Sequence, residues 1–132
     1  MTKLASWLKQ LWKAEGQESL ATPEDIHQEF ILFYREHHIG TLTLQKGFWT
    51  FAYSEYFKNK KPIQPLSDFS DVNRIYQSQD LHPFFLQRIP SLEQPKVKKI
   101  VEDEKIDIHN EVDLLKRFGR LTIANPFILK PA

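Results

Sequence analysis

Few residues in this sequence are of types and spacings that could do chemistry. They are the adjacent His37 and His38, His109 close in sequence to Glu102, Asp103 and Asp107, the tripeptide Asp68, Phe69, Ser70, and the run Lys58, Asn59, Lys60, Lys61. A metal centre needs imidazoles gathered on one side of the ion, usually at a helical spacing such as H-E-x-x-H. Neighbouring residues of a strand point to opposite faces, so a turn is the plainer reading of the histidine pair. The acidic run before His109 has the residue types of a cation site, yet runs of this kind are usually solvated helix ends and loops. The tripeptide resembles the metal-binding Asp-Phe-Gly of phosphoryl-transfer enzymes. That motif works beneath a glycine-rich loop, a strand lysine and a catalytic loop, and none precedes it here. The basic run lacks the glycines and following helix N-terminus of a phosphate cradle and reads as a generic basic loop. No serine stands in a nucleophile-elbow pattern. The expectation is a protein that is not an enzyme, with no metal and no cofactor.

Two stretches instead have the character of contact surfaces. In LHPFFLQRIPS, residues 81 to 91, Arg88 follows Phe84 by four positions, which one turn of helix brings to the same side. Arginine and aromatic side chains are favoured at binding hot spots, so Phe84 and Arg88 are assigned to a partner and Phe85, Leu86 and Ile89 to the core. In KLASWLKQLWKA, Leu4, Trp7, Leu8, Leu11 and Trp12 form an apolar stripe with Lys3, Lys9, Gln10 and Lys13 mostly opposite. Such a helix, marginal alone in water, needs its own domain, a partner groove or a membrane surface to cover it, with Trp7 and Trp12 as anchors.

The totals set the frame for these elements. At 132 residues, 41% of them apolar and with ten phenylalanines, the chain suits one globular domain with a real core. Eighteen Lys and Arg against seventeen Asp and Glu leave a formal charge of +1, too little for broad contact with a phosphate backbone, so no direct nucleic-acid binding is expected. Without cysteine there is no disulfide framework and no thiolate chemistry. No apolar run approaches the roughly 20 residues that span a bilayer, and Lys9, Gln10 and Lys13 interrupt any signal-peptide block. A soluble cytoplasmic protein is expected.

Residues 1–28 are read as the amphipathic helix plus a polar linker, and 29–132 as the domain. EFILFY, IGTLTL and FWTFAY predict three antiparallel strands, with REHH and QKG as turns and Gly47 in a tight hairpin. SEYFKNKKPIQPLSDFSDVNRIY, broken by two prolines, predicts one or two short irregular or edge strands. Pro83 opens a short helix through Ile89, a second helix begins at Pro95, and a third runs from an Asn110 cap to Gly119. TIANPFIL closes the chain as an extended segment. The fold expected is α+β: a small twisted antiparallel sheet, open or partly closed into a barrel, with C-terminal helices and an N-terminal amphipathic helix.

In this order, from Phe30 to Leu129, the segments IGTLT, GFWTFAYSEYF, PLSDF, HPFFLQRIPS and NEVDLLKRFG resemble the N-terminal subdomain of HipA-type toxin kinases. In HipA the paired aromatics are commonly followed by a leucine-leucine-proline-glutamate-glycine sequence, where Ile89, Pro90 and Ser91 stand here. The sequence carries no kinase motifs after this region and is in that respect similar to the small antitoxin of three-part HipB, HipS and HipT systems. The resemblance implies a non-catalytic antitoxin that binds and inhibits a HipA- or HipT-like Ser/Thr kinase, with a HipB-like helix-turn-helix protein handling DNA in a ternary complex. Phe84, Arg88, Pro90 and Ser91, with Trp7 and Trp12, are the residues assigned to the partner. The alternative is a peripheral membrane or scaffold module that uses the tryptophan-bearing helix.

Overall fold

The computed structural model describes residues 20–23 and 25–132. The helix expected over residues 3–14, and with it Trp7 and Trp12, lies outside the described residues.

Five strands form one antiparallel sheet: β1 (Gln28–Tyr34), β2 (His37–Gln45), β3 (Phe48–Tyr53), β4 (Tyr76–Ser78) and β5 (Ile128–Pro131). Their order is β4-β3-β2-β1-β5, so the sheet is open, with β4 and β5 at its edges. The two-residue alternation of a pleated strand sends Phe30 and Leu32, Leu42 and Leu44, and Trp49, Phe51 and Tyr53 into one buried face. Register aligns them, with Phe30 opposite Leu42 and Leu42 opposite Phe51. Between β2 and β3, Lys46 and Gly47 both have positive φ, the requirement of the two-residue turn whose twist matches the strands. The turn between β1 and β2 contains only Arg35 and Glu36, so His37 and His38 belong to β2 and not to a turn. His37 stacks on Tyr56, while His38 lies against Phe33, the residue it faces across the ladder.

A short helix not foreseen in the sequence, α1 (Glu55–Lys60), follows β3 directly. Ser54 caps it by accepting the Phe57 N–H at 3.0 Å, and Phe57, its one buried residue, stacks on Tyr53 at 4.7 Å. The proline-rich stretch beyond it yields a single 3-10 turn, Ser67–Phe69, and the three-residue edge strand β4. Phe69 sits at the centre of the core, its ring 4.7 Å from those of Phe51 and His82 and 5.0 Å from Tyr76. Of the Asp68, Phe69, Ser70 tripeptide, Phe69 therefore packs the core, while Asp68 and Ser70 are exposed. Tyr53 fixes this turn from below, donating to the Phe69 carbonyl at 2.5 Å and accepting the Leu66 N–H at 2.9 Å. Burial pushes its phenol up to about 12.

The remaining helices close the core. α2 (Pro83–Leu86) starts where Pro83 predicts and ends earlier than expected, its Phe84 N–H held by His82 Nδ1 at 3.0 Å. α3 (Pro95–Glu104) buries Val97 and Val101. α4 (Glu111–Phe118) is capped by Asn110, whose Oδ1 accepts the N–H groups of Val112 and Asp113, and it buries Val112, Leu114 and Leu115. Residues 20–22, read as polar linker, are stitched to the domain instead. Leu20 is in the core, and Ala21 exchanges backbone hydrogen bonds with His109 and Glu111. The Thr22 hydroxyl accepts from Trp49 Nε1 at 3.1 Å and donates to Glu111 at 2.5 Å.

Candidate interaction surface

Arg88 follows α2 in a tight turn in which its N–H bonds to the Phe85 carbonyl at 3.0 Å. That turn aims the side chain inward, and Arg88 is only 3% exposed. Its guanidinium spans the base of the loop between α4 and β5. Nη1 donates to the carbonyls of Gly119 at 2.9 Å and Arg120 at 3.2 Å, and Nη2 donates to Asn125 Oδ1 at 3.1 Å and the Phe127 carbonyl at 2.9 Å. The planar fork of five donors suits this task, because four oxygens in one region can be met by one rigid group. Burial draws the guanidinium down to about 10, leaving it charged at neutral pH. All four acceptors are neutral oxygens, so hydrogen bonds alone offset the loss of water, and Nε has no partner among the described residues.

The loop so held is a narrow turn. Thr122 and Asn125 form an isolated antiparallel bridge, the Thr122 hydroxyl accepts the Ala124 N–H, and Asn125 Oδ1 also accepts the Phe127 N–H. The Arg120 carbonyl receives the Leu129 N–H as well, tying the base of the turn to β5. On the return, Phe127 packs its ring against Tyr34 at 5.7 Å and Phe84 at 6.0 Å. Gly119 stands at the entry in an ordinary helical conformation, and its lack of a side chain matters for space. A Cβ there would come within 2.4 Å of the Leu115 carbonyl. At the tip, Leu121 is 61% exposed and Ile123 fully exposed, beside an exposed Arg120.

The structure thus redistributes the sequence-predicted contact residues. Phe84 and Arg88, assigned to a partner-facing surface, are both inside the domain, Phe84 at 9% exposure. Both reach Phe127, Phe84 through its ring and Arg88 through the Phe127 carbonyl, so they face the 119–127 loop and the core and not a partner. Pro90 and Ser91 are half-buried at the exit of the same turn. Sequence reasoning missed Leu121 and Ile123. Ile123 was absorbed into the closing extended segment TIANPFIL and Leu121 was given no role, although β5 begins only at Ile128, after Asn125 and Pro126 have broken the extended run. Two aliphatic residues in a stretch whose Asn-Pro favours a turn were the available signal.

Among the described residues no group of three His, Cys, Asp or Glu side chains is placed to hold a metal ion, and no helix is long and apolar enough to cross a membrane. The fold and this tip define a small α+β domain built around an open sheet. The chain belongs to the HipA N-terminal domain family, whose pattern matches residues 31–123, from β1 to the tip residue Ile123. A search among curated proteins gave no match.

Proposed function

We propose that this protein is a non-catalytic antitoxin or regulatory subunit that binds a HipA- or HipT-like Ser/Thr kinase and inhibits it, with the 119–127 tip as part of the contact. Family membership is consistent with a toxin–antitoxin context. The observation that carries the reading is the exposed Leu121 and Ile123 pair on a turn braced from within by Arg88. Ordering a loop on binding costs free energy, so a contact surface held in shape beforehand binds more tightly than a loose one. Aliphatic side chains standing in water on such a turn gain by being covered. In this reading Arg88 acts on the partner indirectly, by holding the shape of the loop, and a HipB-like DNA-binding protein completes a ternary complex.

Coexpression with a HipA- or HipT-like kinase tests the proposal. The two chains are expected to copurify, the kinase to lose activity, and the double variant L121D/I123D to release it. Separate elution on a sizing column, with kinase activity unchanged by the added protein, overturns the proposal.

A further inference from the structure

The basic run left unexplained by the sequence borders an apolar recess on the described surface. α1 ends at Lys61, whose positive φ turns the chain back while its N–H closes on the Phe57 carbonyl at 2.9 Å. The chain then passes through Pro62, Ile63 and Pro65 before the 3-10 turn, and residues 70 to 72 return alongside. Between these segments lies a cavity of about 560 Å³. Its floor is Phe57, Ile63, Pro65 and Val72, and its rim includes Lys58, Lys61 and Asp71. The size falls within the roughly 300–1,000 Å³ of sites that hold ligands.

The charges around it are unbalanced. Lys58 is paired with Glu55 at 3.3 Å, but Lys61 on the rim, and the exposed Lys60 next to it in sequence, have no ion-pair partner among the described residues. The one rim carboxylate, Asp71, is engaged in its own loop, with Oδ1 accepting the Asn73 N–H at 2.9 Å. Lysines in the last turn complement the dipole of α1, which explains why they suit the helix but not why an apolar recess opens beside them. A phosphate backbone would use the lysines and gain nothing from the floor formed by Phe57, Ile63, Pro65 and Val72. A peptide with acidic residues flanking an apolar one would use both.

We infer that this groove is a docking site for an acidic protein segment that inserts an apolar side chain between Ile63 and Val72 and places its carboxylates on Lys60 and Lys61. The inference does not rest on the kinase reading, since a chain that ignores every kinase could still hold such a segment. The test is an amide-resolved NMR titration of the protein with three capped peptides, DELFDE, DESGDE and KKLFKK, and with a short oligothymidylate. DELFDE is expected to shift the amides of Lys58, Lys61, Ile63 and Val72 and to bind at least about tenfold more tightly than either other peptide. The exposed double variant K60E/K61E, its folding verified by circular dichroism, is expected to weaken DELFDE by about tenfold or more. Shifts elsewhere on the protein, equal binding of DESGDE, preference for the oligonucleotide, or indifference to K60E/K61E each overturn the assignment.

Discussion

Arg88 Nη2 and the Phe127 N–H meet at the same atom, Asn125 Oδ1, each at 3.1 Å. One side-chain oxygen thus joins the end of α2 to the start of β5, and the apolar tip is suspended between them. Replacing Asn125 with Ala removes that junction while leaving the other three Arg88 bonds. The expected cost is about 1 kcal/mol in chemical denaturation, together with weaker capture of the kinase. Capture equal to wild type would show that the tip does not need its brace.

Arg88 itself is a harsher test. Arg88→Ala removes four hydrogen bonds and takes this donor from the buried Gly119 and Phe127 carbonyls, while the Arg120 carbonyl and Asn125 Oδ1 keep their bonds from Leu129 and Phe127, and it is expected to lose roughly 3 kcal/mol. Arg88→Lys keeps the charge, but one compact ammonium cannot reproduce a planar fork across both strands of the loop. Its stability should fall between the two. Denaturation midpoints that rank Lys with Ala, or Lys with wild type, would contradict this geometry.

Ile123→Asp separates contact from folding. The side chain is fully exposed, so stability should change by no more than about 0.5 kcal/mol. Binding to the kinase should fall by about 1–4 kcal/mol if the tip sits at the centre of the interface, read as the shift in a competition titration. An unchanged midpoint with unchanged affinity would move the interface elsewhere.

These cases show what the residue pattern reveals and where it stops. β2 and β3 were legible because alternation is a strong signal, β1 because EFILFY is a compact apolar and aromatic run, and α4 because Asn110, the apolar stripe and Gly119 agree on its ends. α1 was not legible, since six residues hold less than two helical turns and carry one buried position, Phe57. The inward course of Arg88 was hidden for a different reason. Its acceptors lie 31 to 39 positions away, and most are backbone carbonyls that leave no trace in residue type. An arginine among aromatics looks the same whether it faces a partner or its own chain.

Tyr53 provides a check on the core beneath β4. Its hydroxyl is both donor to Phe69 and acceptor from Leu66, so Tyr53→Phe keeps the ring and leaves two buried backbone groups without their partner. The expected loss is about 2 kcal/mol, measured by denaturation, with the fold unchanged by circular dichroism. A neutral substitution would mean that water replaces the hydroxyl at no cost.

His82 makes stability depend on pH, and the sign follows from its cap. Nδ1 accepts the Phe84 N–H, which requires a neutral ring with its proton on Nε2. Burial holds the imidazole below its ordinary value of 6.5, with Asp68 opposing the shift in part. The unfolded chain therefore takes up this proton at a higher pH than the folded one. In that interval stability rises with pH. The contribution of His82 is complete above about pH 7 and is lost as pH falls through the folded value. His82→Asn offers an oxygen to the same N–H without a titrating group. Compared by denaturation at about pH 7.5 and about pH 5.5, the wild type should lose more stability than His82→Asn. Equal losses in the two proteins would place the acid sensitivity on other groups.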